Sequence, residues 1–551
     1  MAKQAKTSIP VANPETTPRT VAAIDIGSNT IRMVVAQVLS DNRLEYLERT
    51  QRAVRLGQDT FLSGRLGQKT MNAAITILRD FRRILDTYGV KCVRAVATSS
   101  VREASNADAF LDRILMATNL EVEVIDPSEE IRLTVDAVRT ALSLRRSSGG
   151  RPSAMDKSLI ADIGGGSALL TVLEKGEILA SGTYQLGSIR LQELLSTSQE
   201  PPLRAAELLR HQIANVVAAV RSSLPLGEVK TFIAVGGDAR FAAQQILSEG
   251  PAEGAGGEAG AVADQPSGAA EAPQVIAARQ FDAFVARCSV HTAEELATTY
   301  QIPFANSETL VPALLAYQAL LHETQAKRIV VPNVSMRDGL MLDLARSITG
   351  GEDPELYAST LDSARAIAEK YHVDPAHTWH VADLAVELFD HLQAEHGLGP
   401  RQRLLLRVAA ILHEVGGFVS SRAHHKHSYY LVANSEIFGL QREETQIVAL
   451  VARYHRRSLP NKTHPDYMAL PREARMVVSK LAAILRVADA LDRGHSQQIR
   501  NIQIEREAED FIIYVRGVPD LTLERRALED KADLFEDIFG MKVRLEEGQE
   551  V

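Results

Sequence analysis

Two short stretches end an apolar run on an aspartate and follow it with glycine: Asp25-Ile26-Gly27-Ser28-Asn29-Thr30 and Asp162-Ile163-Gly164-Gly165-Gly166-Ser167. An aspartate at a strand tip can hold a divalent cation, directly or through water. A glycine turn beside it lets backbone N–H groups approach an anion with no Cβ in the way. Two such loops facing each other would grip a phosphate chain and its Mg2+ from both sides. One copy alone reads as well as a tight hairpin turn, where Gly and Asp are common. Two copies 137 positions apart, at matching places in two halves, favour the chemical reading. In Asp126-Pro127-Ser128-Glu129-Glu130 the expected N-cap is Ser128, with both glutamates in the first helical turn. Carboxylates are favoured there by the helix dipole and need no further role. Arg102 follows a strand and three hydroxyl residues, Thr98 to Ser100. A guanidinium there can fork onto phosphate oxygens, or simply lie on a helix surface.

These groups require elements to carry them. Val21–Ile26 and Ile31–Val38 read as a hairpin across the first loop, and a strand ending at Ala97 precedes the Arg102 helix. A strand within 120–126 precedes the helix carrying Glu130. From Ser158 the strand–glycine–strand pattern starts again. Residues 249–275, rich in Gly, Ala, Glu and Pro, read as a disordered insertion in a surface loop. From Leu356 to about Gly494 helical periodicity and histidines dominate. The last 50 or so residues alternate like strands and then turn helical. The expected division is a loose tail (1–18), α/β domains at 19–140 and 155–348, a helical domain at 355–495 and a small α/β unit at 496–551.

At 551 residues the chain needs several cores. A net charge of −9 argues against a generic nucleic-acid binder, while leaving room for a local basic channel. Two cysteines, Cys92 and Cys288, make no disulfide framework and fit a reducing compartment. No apolar run approaches the roughly 18 residues of a spanning helix, and the first residues lack a signal-peptide core. The expected compartment is the cytoplasm.

The two aspartate loops resemble the phosphate loops of the actin-like ATPase superfamily, which includes sugar kinases and heat-shock chaperones. The form "DIGSNT" with a following Arg, together with "DIGGGS", "ATSSVREA", "SEEIRL", "GSIRL" (Gly187–Leu191) and "SMRDGL" (Ser335–Leu340), is more specific. In order over nearly all of residues 19–500, it resembles the exopolyphosphatase / guanosine pentaphosphate phosphohydrolase family. The resemblance implies two actin-like (ribonuclease H-like) α/β domains, then an all-α HD-like domain and a small C-terminal α/β unit. It implies Glu130 as the carboxylate that deprotonates the attacking water, and Asp25 and Asp162 as ligands of Mg2+ or Mn2+, with K+ as a further cation. Phosphate contacts would come from Gly27, Ser28, Asn29, Arg102, Gly164, Gly165, Gly166 and Ser167, with Arg190 in a third phosphate-facing loop.

Where the superfamily has its adenosine-side loop, "FIAVGGDARFAA" carries Asp238 in place of the usual Thr or Ser, which disfavours tight nucleotide binding and a kinase. In the helical half, His380, His413, Glu414, His455 and Asp489 fall where HD-type metal ligands would lie. His413-Glu414 replaces the His-Asp pair of intact members, so a degenerate domain kept for substrate handling is expected. Between Arg401 and Lys462 ten Lys/Arg and five His face four Glu. By resemblance Lys426, His427, Arg456 and Arg457 would line a channel for a long phosphate chain. The implied activity is release of terminal orthophosphate from inorganic polyphosphate. The alternatives are hydrolysis of guanosine pentaphosphate, linked with guanosine tetraphosphate to the stringent response, and a non-catalytic polyphosphate or alarmone sensor. A homodimer is implied by resemblance alone.

Overall fold

The computed structural model describes residues 19–39, 43–143, 157–174, 176–195, 197, 200–249, 272–349, 354–435, 437–456, 458–507, 509–518 and 520–548. The expected tail and residues 250–271 of the expected insertion lie outside them. The chain forms two compact units, Met1–Gly351 and Glu352–Val551.

The first unit holds two mixed sheets. One contains β1 (Arg19–Ile26), β2 (Thr30–Val38), β3 (Leu44–Ala53), β4 (Cys92–Ala97) and β5 (Val122–Val124), in the order β3-β2-β1-β4-β5. The other contains β6 (Ser158–Ile163), β7 (Ala168–Glu174), β8 (Glu177–Tyr184), β9 (Thr231–Val235), β10 (Gln274–Ala277) and β11 (Arg328–Val331), in the order β10-β11-β9-β6-β7-β8. With β10 set aside, the two orders are the same. β1 runs antiparallel to β2 and parallel to β4, as β6 does with β7 and β9. The repeat extends to single bonds: Gly27 N–H donates to Thr30 O at 3.1 Å, and Gly164 N–H to Ser167 O at 2.9 Å. The expected insertion was drawn too wide. Glu249 caps the Gly237–Ser248 helix, and Gln274 and Val275 already pair with Val331 and Val330 of β11.

Side-chain alternation explains where the first aspartate points. In β1, Ala22, Ile24 and Ile26 enter a core with Leu78 and Phe81, while Val21 and Ala23 enter another with Leu133, Leu340 and Leu344. Asp25 shares the parity of Val21 and Ala23, so it faces the side covered by the helices Pro127–Ser143 and Met336–Thr349. Asp162 likewise alternates with Leu159, Ala161 and Ile163, which fill the second sheet's core. The Met336–Thr349 helix was expected to belong with the second α/β domain, yet its Met336, Leu340, Met341 and Leu344 pack on the first sheet. Gly339 lets it close on the Leu133 backbone, where any Cβ would overlap the peptide.

In the second unit the helices Pro375–His391, Pro400–Leu412, His424–Ala433, Arg442–Arg453 and Arg472–Leu491 precede a sheet ordered β12 (Ile502–Glu507), β13 (Asp510–Val515), β14 (Lys542–Glu547). The expected break at 495/496 divides no core: Leu388, Leu412 and Leu485 share one apolar cluster with Phe511, Leu528, Phe535 and Leu545. Fully buried Arg486 ties the two parts further, donating to the Lys531 carbonyl at 2.7 Å. Among the described residues no helix is long and apolar enough to cross a membrane. Both cysteines are free.

Candidate active site

The helix Pro127–Ser143 positions the chemistry. Its expected cap, Ser128, is already inside the helix. The capping group is Asp126, whose Oδ1 accepts from Glu129 N–H at 3.0 Å and from Ser128 Oγ at 2.6 Å. Aspartate is as good a cap as serine, and it sits one residue before the proline that favours the first helical position. That start turns Glu130 and Thr134, one helical turn apart, onto the same face. Thr134 Oγ1 donates to Asp162 Oδ2 at 3.3 Å, which holds the second aspartate beside Glu130.

Glu130 is 7 % exposed, and Arg102 Nη1 donates to its Oε1 at 2.6 Å. Burial pushes its carboxyl up to about 7 against the pull of Arg102, and the charges of Asp25 and Asp162 push the same way. Burial also raises Asp162, to about 6. Thr134, Arg240 and Arg32 oppose that rise, and Asp25 adds to it. Three carboxyls, from two strand tips and a helix, therefore sense one another's charge. Such a donor set fits a hard divalent cation, because oxygen ligands of net negative charge are what Mg2+ or Mn2+ requires.

The other expected contacts are placed as follows. Arg102 Nη1 is divided between Glu130 and the Ile125 carbonyl, also at 2.6 Å. Ser28 Oγ lies 3.2 Å from Ser99 Oγ, and the two aspartate loops touch: a Cβ on Gly165 would come within 3.0 Å of Ser28 Cβ. A Cβ on Gly166 would overlap Ser99 and Phe61. Asn29 donates to the Ala305 carbonyl at 3.2 Å in a small recess with Arg55, Gln58 and Glu308. Arg190 is buried and committed. It pairs with Glu103 at 2.6 Å, donates to Gly166 O at 2.7 Å and stacks on Phe61, and so holds the second glycine loop.

Asp238, noted in the sequence only as a departure, is pushed up to about 7 by burial, with Arg32 and Arg240 pulling against it. Arg32, Arg240, Thr134 and Tyr317 are site residues that the sequence reading assigned no role. Tyr317 accepts from Ile163 N–H at 3.2 Å and donates to the Val235 carbonyl, joining the tips of β6 and β9 under Asp162. Gly236, at φ +126°, passes beside that tyrosine and Asp162, in a conformation L-residues avoid. Arg32 was within reach, because two-residue periodicity puts it opposite Asp25 across the hairpin. Tyr317 left no local signal.

In the second unit His413, His455 and Asp489 meet, and His377 joins them in place of the expected His380. His380 lies one turn on and lines a surface cleft with Asp383, Glu387 and Arg500. Lys426 is exposed, His427 and Arg456 are half-buried, and Arg457 lies outside the described residues. The charges of Arg456, Lys426 and Arg453 converge on His425, where burial is the larger cause of a depression to about 4. His425 was not among the expected channel residues.

Two sheets of matching order, each with an aspartate–glycine loop at a strand tip, place the first unit in a two-sheet α/β class. Residues 34–348 match the Ppx/GppA phosphatase family, and residues 361–537 match its domain III. The chain belongs to the Ppx/GppA phosphatase family and is a hydrolase of that family. It is 31% identical over 220 residues to Exopolyphosphatase 2 of Mycobacterium tuberculosis, 39% of this chain and 67% of that protein. It is 25% identical over 499 residues to the guanosine-5'-triphosphate,3'-diphosphate pyrophosphatase of Aeromonas salmonicida, 89% of this chain and 90% of that one. The crystal structure of an exopolyphosphatase from Cytophaga hutchinsonii superposes with a TM-score of 0.51 at 24% identity, covering 60% of this chain and 98% of that chain, and shares the fold.

Proposed function

We propose that this enzyme releases orthophosphate from the end of inorganic polyphosphate. The observation that carries the reading is a buried Glu130, held by Arg102 at 2.6 Å, whose charge senses Asp25 and Asp162 at the tips of the two strands. Its carboxylate takes a proton from water as the water oxygen bonds to the terminal phosphorus. The bridging P–O bond breaks and the shortened chain leaves with the electron pair. A base whose pKa lies near 7 is matched to neutral solution, and such help is typically worth about 10²–10⁴-fold. Arg102 orients Glu130, and its remaining N–H groups could reach phosphate oxygens. Asp25 and Asp162 would hold Mg2+ or Mn2+, which supplies charge neutralisation on the phosphate when bound. The loops Gly27–Asn29 and Gly164–Ser167 would contribute N–H donors.

The positive charge of Lys426, Arg453 and Arg456 around His425 supports the polymer as substrate, because such a patch concentrates a polyanion. A second reading, cleavage of the 5' γ-phosphate of guanosine pentaphosphate, is favoured by the long match to the Aeromonas pyrophosphatase. Asp238 at the nucleotide-side loop counts against it. The test is phosphate release with Mg2+ from long polyphosphate, pyrophosphate, guanosine pentaphosphate and ATP, with Glu130→Gln beside the unaltered chain. Turnover of polyphosphate that Glu130→Gln abolishes supports the reading. Binding without turnover would make the protein a sensor.

A further inference from the structure

The second unit buries a cluster of groups that the phosphate-loop chemistry does not use. His377 and His413 are both 0 % exposed, and the Nε2 atom of each has no hydrogen-bond partner among the described residues. Their other nitrogens are committed: His377 Nδ1 to Asp492 Oδ2 at 2.8 Å, and His413 Nδ1 to the Ala410 carbonyl at 2.6 Å. A carbonyl only accepts, so His413 carries its proton on Nδ1 and presents a bare lone pair at Nε2. Asp492 likewise holds the Nδ1 proton of His377 and leaves its Nε2 facing Asp489. This is the outer-shell arrangement that fixes imidazoles as metal ligands.

The two Nε2 atoms converge. His377 Nε2 lies 3.7 Å and His413 Nε2 3.8 Å from the same oxygen, Asp489 Oδ1. Ligand atoms of His377, His413 and Glu414 lie within 4.8 Å of one another. Ligands about 2.0–2.2 Å from one ion stand roughly 3–4 Å apart, so small side-chain movements close the set. The other oxygen of Asp489 is held by Lys531. Lys531 and Arg486, the latter itself paired with Asp533, face three carboxylates, Glu414, Asp489 and Asp492, so the cluster has charge room for a divalent ion. Ser428 pins the turn, accepting from Gly416 N–H at 2.9 Å and donating to the His413 carbonyl at 2.7 Å.

We infer that His377, His413 and Glu414, with Asp489 alongside, form a binding site for one divalent first-row transition ion such as Zn2+ or Mn2+. Two imidazoles with carboxylates select such ions over Mg2+. The Asp-to-Glu change at position 414 is then accommodated, because the glutamate reaches the same point as the imidazoles. The inference is independent of the proposed activity, since its ligands lie wholly within the second unit.

The test uses the full chain, stripped with chelator and reloaded with Zn2+, Mn2+ or, as a spectroscopic probe, Co2+. The double variant Asp25→Asn/Asp162→Asn should still bind one equivalent, the unaltered chain should bind that equivalent besides any ion held by Asp25 and Asp162, and Co2+ in the double variant should show the visible bands of imidazole ligation. His377→Gln and His413→Gln, checked for native circular dichroism, should weaken binding at least tenfold, while His425→Gln should not. A folded, stripped chain that takes up no ion beyond that lost in the aspartate variant overturns the site. So does loss in His425→Gln with retention in His413→Gln. Should the buried variants fail to fold, the Co2+ spectrum of the aspartate variant decides: absence of imidazole bands refutes the site.

Discussion

Glu129 and Glu130 are consecutive residues of one helical turn, nearly equally buried, and their carboxyls are driven in opposite directions. Burial penalises both charges. Glu129 is nonetheless held down to about 2, because Arg132 grips both its oxygens at 2.7 and 2.8 Å and Arg94 adds a bond at 3.0 Å. Asp343 on the Met336–Thr349 helix also pairs with both arginines. For Glu130 the main charge set against burial and two aspartates is Arg102. The 100° step between neighbours in a helix sends one glutamate into a structural ion network and the other into the acidic site.

The two substitutions should therefore separate. Glu130→Gln should cut turnover about 10²–10⁴-fold while the protein stays folded. Glu129→Gln should leave Arg94 and Arg132 short of a buried partner and cost about 3–5 kcal/mol of stability. Denaturant melts beside initial rates distinguish the outcomes. A folded, fully active Glu130→Gln protein would remove the mechanism.

The pH dependence follows from the base. Glu130 must be ionised to accept a proton, so kcat/KM should rise with pH along a limb centred near 7. A cation held by Asp25 and Asp162 offsets the charges that help raise Glu130. Saturating Mg2+ should therefore move the limb to lower pH, and a limb indifferent to Mg2+ would show the ion is not held there.

Arg102 lowers Glu130 through charge and a hydrogen bond. Arg102→Gln should shift the same limb to higher pH and reduce kcat/KM. Arg102→Lys should restore the limb's position more than the rate, since a point charge keeps the field and loses the fork. Equal pH profiles in all three proteins would confine Arg102 to packing.

Much of this was legible beforehand because it is local. Asp25 and Asp162 announce themselves as single charges ending apolar runs, and the 137-residue shift that relates the loops also relates their turn hydrogen bonds. Side-chain alternation fixed the face on which Asp25 lies. The illegible part depends on contacts between distant segments. Nothing near Tyr317 says that its hydroxyl joins β6 to β9, and nothing in Met336–Thr349 says that it packs on the first sheet. The resemblance points to His380, one turn along the same helix, and only the docking of Asp489 and Asp492 selects His377. The occupation of Asn29 and Arg190 by protein partners is likewise a product of closure between the two sheets.

The same two glutamates should give stability opposite slopes with pH. Glu130 holds its proton up to about 7 when folded but only to its ordinary 4.5 when unfolded. Between those values the folded chain binds more protons, so stability falls as pH rises, by about 1.4 kcal/mol per unit at most for one group. The Glu129 contribution is complete above 4.5 and is lost as pH falls toward about 2. Glu130→Gln removes only the first slope. The variant should match the unaltered protein near pH 4.5 and exceed it by up to about 3 kcal/mol at pH 8, where the native chain buries an ionised carboxylate. Mg2+ should narrow that gap by compensating the charge, and should fail to do so in Asp25→Asn/Asp162→Asn. Urea melts at the two pH values, with and without Mg2+, read this directly. A Glu130→Gln protein no more stable than the native chain at pH 8 would mean that Glu130 is solvated and is not the poised base described above.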